Sequence, residues 1–220
     1  MKHAILVAGI ATLCFAAPAT AQEPDGETSH LNFGVTAGSL GIGPEIGYRI
    51  SRNIGVRASA TFLGISRGYD SDDVQYHGKV RLQSFGAMLD LFPFGGAFRL
   101  SGGLRVGGNR IQVDATPTGE TDIGNGSYSP AQIGTLTARA KPARVAPAFT
   151  IGTGGGTGKG FFIGAEGGVL LQGRFRVTDF TASGGAVSKA DLDMERASLQ
   201  QDIDALKIWP IAQIKLGYRF

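Results

Sequence analysis

Cysteine is almost missing from this 220-residue chain: the single one, Cys14, falls in an N-terminal apolar run, and no thiol follows it. That excludes disulfides and cysteine-bound metals from the body of the protein. Leu13 stands before Cys14 where a lipidation signal wants a small residue, so no lipid anchor is expected there. Charge is sparse as well, at 18% of residues with a net of +3, and the basic residues are scattered along the chain, which argues against a nucleic-acid partner. No apolar run beyond the N-terminal segment approaches the about 20 residues that a membrane helix needs. What is present in excess is glycine, 35 of 220 residues, beside 42% hydrophobic residues. Such a chain can hide its apolar side chains by dispersing them on alternate positions of strands.

The first residues read as an address. Met1-Lys2-His3 gives a short positive start, Ala4 to Phe15 an apolar run, and Ala19-Thr20-Ala21 a small-x-small cleavage site. Together they predict a secretory signal peptide over residues 1–21. Residues 22–29 are polar with Pro and Gly and are expected to form a flexible periplasmic lead-in. The fold proper is expected over 30–220.

From His30 onward the dominant period is two. Ile208, Pro210, Ala212, Ile214, Leu216, Tyr218 and Phe220 share one face of a closing strand, and Ile211, Gln213, Lys215, Gly217 and Arg219 share the other. A terminal strand with a greasy outer face is an aggregation hazard in water, whereas a membrane barrel requires one. The same alternation marks strands near His30 to Ala37, Ile42 to Ile50, Ile54 to Leu63, Lys79 to Phe92, Phe98 to Asp114, Arg144 to Thr153 and Phe161 to Val177. Two irregularities interrupt it. Pro44 has no N–H to give to its ladder, and Val80 and Leu82 run in the opposite phase to Phe85, Ala87, Leu89 and Leu91, as at a bulge or in a strand continuing past the lipid. Gly64 to Gly78 and Ala115 to Ala143 read as long loops, and Gly154 to Gly160 as a flexible turn. Within Thr178 to Lys207, the residues Leu192, Leu199, Ile203 and Leu206 recur at helical spacing behind a Ser188/Asp191 capping pair, which predicts a short helix from Asp191 to Leu206.

The expected fold class is therefore all-β: an eight-stranded antiparallel up-and-down transmembrane β-barrel with a short helix in the last external loop. Its short connections and both termini would be periplasmic, and its long connections external. Tyr48, Phe92, Phe94, Phe98, Phe161 and Tyr218 then gather with Phe220 as a periplasmic aromatic girdle, and Phe62 and Trp209 are the candidates for the external one. Glu45, Arg49, Arg57, Asp90, Arg99, Arg105, Glu166, Lys215 and Arg219 point into a lumen that, in a barrel of this size, is only wide enough for side chains to fill. Charges confined there must pair or meet water, and an interlocked polar core is favoured over an anion path.

Other motifs fall short of a chemistry. Around Gly152 to Gly160 a phosphate loop would need Gly where Thr153 stands, Ser or Thr where Gly160 stands, and a helix in place of the alternating strand that follows. Asp70-Ser71-Asp72-Asp73 has neither the ligand spacing nor the Gly of a calcium loop. His77 lies near these acids, but no strand sets a Ser beside a His on one face, so solvated histidines are preferred to a catalytic one. No residue is assigned to catalysis, to a cofactor or to a metal.

With its signal peptide, its strand count and its terminal Leu216-Gly217-Tyr218-Arg219-Phe220, the chain resembles the small outer-membrane β-barrel proteins of Gram-negative bacteria, of the OmpA transmembrane-domain, OmpX and OmpW type. The hairpin Asp90-Leu91-Phe92-Pro93-Phe94-Gly95-Gly96-Ala97-Phe98-Arg99-Leu100 resembles uncharacterised barrels of this kind. The resemblance implies the cell outer membrane as location, with outer-membrane lipids and lipopolysaccharide as partners. It also implies biogenesis through periplasmic chaperones and a barrel-assembly machinery that would read Ile214, Leu216, Tyr218 and Phe220. It does not fix an activity. A structural or surface-interaction role through the external loops is the leading expectation, a narrow channel for small or apolar solutes the alternative, and a lipid-modifying enzyme the third; a monomer without enzymatic activity is expected.

Overall fold

The computed structural model describes residues 29–71, 74–204 and 207–220. The expected leader, most of the lead-in, Asp72, Asp73 and Leu206 lie outside the described residues. The strands are β1 (Leu31–Gly38), β2 (Gly41–Arg49), β3 (Ile54–Ser71), β4 (Val74–Leu91), β5 (Arg99–Gly107), β6 (Arg110–Pro117), β7 (Thr121–Ile123), β8 (Gly126–Tyr128), β9 (Leu136–Lys141), β10 (Val145–Gly152), β11 (Gly160–Leu171), β12 (Arg176–Ala182) and β13 (Ile208–Arg219). Two helices accompany them, α1 (Pro130–Ile133) and α2 (Lys189–Ile203).

The chain is all-β with one large antiparallel sheet, and among the described residues thirteen strands stand where eight were expected. Part of that sheet closes on itself. β1 pairs β2, β2 pairs β3, β3 pairs β4, β4 pairs β5, β5 pairs β10, β10 pairs β11, β11 pairs β13, and β13 returns to β1. The closing seam runs from Asn32↔Arg219 to Gly38↔Gln213, so the strand that starts beside His30 is the neighbour of the last one, as the alternating pattern implies. The β2–β3 ladder lapses at Gly43 and Pro44, where proline has no donor.

Alternation sorts the two faces of this ring. Phe33, Val35, Ile46, Val56, Phe85, Leu89, Leu104, Phe149, Ile163, Ile214 and Leu216 are exposed on the outside, while Glu45, Arg57, Asp90, Arg99, Glu166 and Lys215 are buried inside. The inner side is crowded because a tightly curved sheet brings inward positions against neighbouring backbone. A Cβ on Gly34 would stand 2.6 Å from the Leu216 carbonyl oxygen, and one on Gly38 would stand 2.0 Å from that of Ala212. Much of the glycine excess is thus a packing requirement on the concave face.

The long connections are not loops. β3 and β4 stay paired without a register shift from Ile54↔Leu91 to Ser71↔Val74, so the inverted phase at Val80 and Leu82 marks a strand that continues, not a bulge. The expected loop from Gly64 to Gly78 is the upper half of that hairpin. β6 pairs the upper part of β4, β9 pairs β6, and β12 pairs β9, extending the sheet beyond the ring at one end. Ile123, Ile133 and Val187 are buried together with Tyr128, Leu136, Ala182 and Leu192 packed against them, a second small core within this cap. The short connections at Ser51–Asn53, Pro93–Phe98 and Thr153–Lys159 gather at the opposite end with Ser29, whose N–H donates to the Thr157 carbonyl.

Replacing Gly38 by Val should open the β1–β13 seam, because the new side chain meets backbone that cannot move aside. Gly64→Val, where nothing lies within 4 Å of the added Cβ, is the control. Gel mobility before and after heating reads the outcome: Gly38→Val loses the compact unheated band and Gly64→Val keeps it.

Candidate functional site

The interior of the ring is held by charge. Arg57, on β3, is buried among three carboxylates. Its Nη1 donates to Glu45 Oε2 and to Glu166 Oε2, each at 2.9 Å, and its Nε donates to Asp90 Oδ2 at 3.2 Å. Ser101 Oγ donates to Asp90 at 2.6 Å and accepts from Arg57. Arg99 donates to Glu166 at 2.9 Å, and Lys215 Nζ donates to Glu45 at 2.6 Å while standing 3.6 Å from Glu166. Three cations face three anions, so the knot is neutral as a unit. Glu45 comes from β2, Asp90 from β4, Arg99 from β5, Glu166 from β11 and Lys215 from β13. Since β3 and β11 are four places apart around the circuit of pairings, the Arg57–Glu166 bridge spans the width of the ring.

Two further layers flank the knot. Toward the short connections, Arg49 lies over the Phe92 ring at 3.8 Å and donates to the carbonyls of Arg52 (2.6 Å), Gly95 (2.8 Å), Gly96 (3.3 Å) and Gly155. The expected flexible turn is thereby drawn in: Gly154, Gly155 and Gly156 are buried, and a Cβ on Gly155 would collide with Phe92. Toward the cap, Arg105 donates to the hydroxyls of Ser84 (2.8 Å), Thr61 (3.0 Å) and Ser59 (3.2 Å). Leu40, Met88, Ala146, Ala148, Leu170 and Ile211 form a buried apolar cluster against which Trp209 packs. A cavity of about 20 Å³ beside Arg49, Arg57, Asp90 and Arg99 has room for about one water, and one of about 10 Å³ beside Arg105 and Gln172 for less.

Of the inward charges read from the sequence, eight are buried and Arg219 is half-buried, with its guanidinium 5.0 Å from the Phe162 ring. The girdle reading needs two corrections. Phe92 is only 4% exposed and lies inside under Arg49, because it shares the phase of Asp90 and not that of Leu91. Trp209 shares the phase of Ile211 and packs inward, its Nε1 3.4 Å from the Ser39 carbonyl. The rest face outward: Tyr48, Phe94, Phe161, Tyr218 and Phe220 are exposed, Phe98 is half-buried against Phe94, and Tyr218 stacks edge-on with both Phe161 and Phe220 at 5.1 Å. Ile214 and Leu216 are exposed on the same face.

The cap has its own polar joints. α2 starts at Ser188, whose hydroxyl accepts from the Asp191 N–H, as the capping pair implies. Asp191 also receives hydrogen bonds from the Tyr128 hydroxyl at 2.5 Å and the Asn125 N–H at 3.0 Å, tying the helix to the β7–β8 hairpin. Hydrogen bonds from Ser188, Tyr128 and Asn125 hold its carboxyl below the ordinary range. Gln200 clamps the far end of α2, accepting from Val177 N–H and donating to the Phe175 carbonyl. One pairing escaped sequence reasoning, which looked along single strands: His77 Nε2 and Ser66 Oγ meet across β3 and β4 at 2.9 Å, opposite Asp114 on β6. Burial raises the Asp114 pKa, but hydrogen bonds from Gln112 and Thr137, with Coulombic attraction from Lys79 and His77, outweigh it and hold the carboxyl below its ordinary range; neither hydrogen bond comes from His77.

No family model matches the chain, and no curated protein does. Solved structures similar in fold include Acinetobacter baumannii CarO2 and CarO, both outer-membrane β-barrel proteins. Each is 13% identical to this chain with a TM-score of 0.58; the match covers 89% of this chain and 100% of CarO2, and 87% of this chain and 98% of CarO. The likeness is one of fold.

Arg57→Met leaves three carboxylates around an apolar side chain and should cost about 3–5 kcal/mol. Arg57→Lys should not restore the loss, because one ammonium cannot reproduce the fork that reaches Glu45, Glu166 and Asp90. The urea midpoint of the folded protein in neutral detergent measures both; unchanged midpoints would show that the knot does not hold the ring.

Proposed function

We propose that this protein is an integral outer-membrane β-barrel whose eight ring strands cross the bilayer, whose lumen is closed to solutes, and whose cap is a surface-interaction platform. The observation that carries the reading is the ring itself, apolar without and ion-paired within. An exposed belt of this kind exceeds what a soluble monomer shows to water and matches the lipid face of a barrel. The fold likeness to CarO2 and CarO supports the location.

The closed lumen argues for the structural and surface role over the channel alternative. Arg57 and its carboxylates lie across the path, Arg49 and the Gly154–Gly156 turn cover one end, and the cavities that remain have room for one water at most. The cap is built as a folded unit with its own small core, which suits a surface for partners better than a set of passive connections. With the short connections periplasmic, the terminal Ile214, Leu216, Tyr218 and Phe220 lie where periplasmic chaperones and an assembly machinery would read them. The exposed Ser66–His77 pair is assigned no catalytic role, since neither hydrogen-bond donor to Asp114 is the imidazole. The protein acts as a monomer among outer-membrane lipids and lipopolysaccharide.

Protease added to intact cells tests location and sidedness together. Cleavage should fall within the cap, around residues 174–207, and leave a protected, heat-modifiable ring in the outer-membrane fraction. Resistance in intact cells, with cleavage only after the outer membrane is permeabilised, would reverse the orientation.

A further inference from the structure

Basic residues that are scattered in the sequence are brought into one row by the sheet. Arg81 on β4 lies directly opposite Arg110 on β6. Ile111 pairs Ala140, which sets Arg110 alongside Lys141 on β9, and Lys141 lies directly opposite Arg176 on β12. Four cations thus stand side by side at one level across four adjacent strands. Directly opposed residues of antiparallel strands project from the same face, and like charges so placed repel. All four are exposed, and among the described residues none has an acidic side chain within ion-pair distance. Lys79 and Arg139, one step further on the same face, do have partners, Asp114 and Asp179. The unpaired row therefore differs from its immediate neighbours.

Its height on the molecule is specific. Arg81 shares the outward phase of Phe85, Leu89 and Leu91, so the row continues the apolar outer face and not the interior. The exposed Phe62 and Phe85, edge-on at 6.0 Å, stand near the upper limit of that face, and Gln83, directly opposite Phe62, separates Phe85 from Arg81. Ten residues of β4 lead from Leu91 to Arg81, roughly 34 Å along a strand. At a tilt of about 40° this is about 25 Å along the ring axis, the height of a lipid-facing band. The cations accordingly stand where hydrocarbon gives way to headgroups.

We propose that the Arg81, Arg110, Lys141 and Arg176 row is a binding site for the phosphorylated headgroup of an outer-leaflet glycolipid. The inference rests on the barrel reading above and adds a defined lipid contact to it. Charge complementarity and position both select this occupant: four unneutralised cations face outward at headgroup level, and arginine presents a planar fork that matches phosphate oxygens. An anion there would relieve the repulsion that the sheet register imposes and would fasten the cap, through β6, β9 and β12, onto the membrane surface.

The test uses the full mature chain folded in neutral detergent, with lipid A carrying both phosphates as probe, its dephosphorylated form as one control and inorganic pyrophosphate as another. Isothermal titration should show binding of the phosphorylated lipid that weakens with salt. Each cation replaced by Gln should lower affinity by about fivefold, so Arg81→Gln/Arg110→Gln should lose about 25-fold and the quadruple variant with Lys141→Gln and Arg176→Gln several hundredfold. Lys189→Gln/Arg196→Gln on α2 should leave it unchanged. Should the quadruple variant fail to fold, the double variant decides alone. Wild-type affinity in the double variant would overturn the site, and so would equal binding of the dephosphorylated lipid. Pyrophosphate that binds as tightly as the lipid would overturn the headgroup assignment. Failure of the wild-type chain to fold in detergent as a heat-modifiable species would instead overturn the barrel reading on which the site depends.

Discussion

Arg57 sits where every strand of a narrow ring turns its inner face, and its bonds to Glu45, Asp90 and Glu166 join β2, β3, β4 and β11 across the lumen. A ring this tight has little dry core to offer, since most of its apolar residues face outward and only the small cluster around Met88, Ala148, Leu170 and Ile211 is buried within it. Its interior must be filled, and charges placed there are tolerable only when every one has a partner. The rest of the ring follows from that demand. Glycines occupy inward positions that leave no room for a Cβ, serine and threonine hydroxyls accept hydrogen bonds from Arg105, and carbonyls of three turns accept those of Arg49.

The same demand makes the ring and the cap different kinds of structure. Within the ring the apolar surface lies outside and the polar knot inside. Above it, Ile123, Ile133 and Val187 turn inward as in a water-soluble protein, and Asp191 joins α2 to the β7–β8 hairpin through exposed and half-buried polar groups. The level at which this inversion takes place is that of Leu82, the first inward apolar residue of β4 beyond Ser84, with Arg81 facing outward next to it. On the proposed barrel reading, the boundary between lipid and water is thus written into adjacent residues of one continuous strand.

Period two was legible wherever lipid and lumen impose it, and for that reason the closing strand, the β1–β13 seam and the buried charges can be read from residues alone. Phe92 and Trp209 were equally legible but were placed by proximity to a rim; parity with Asp90 and with Ile211 puts both inside. Of the cap only α2 was legible, through its Ser188/Asp191 capping pair. Beyond the ring no single environment enforces alternation, so Ala115 to Ala143, rich in Thr, Gly and Pro, reads as loop although it holds β7, β8, α1 and β9. The row of cations was hidden for a related reason, since residues 81, 110, 141 and 176 become neighbours only through pairings that no local pattern announces.

The central claim is that paired side chains close the lumen. Single-channel recording of the refolded protein in planar lipid bilayers tests it most directly. The knot predicts a flat baseline at all voltages the bilayer withstands. Stepwise, ion-selective conductance from the unmodified chain would contradict it, because ions would then be crossing the level at which Arg57 and Glu166 meet.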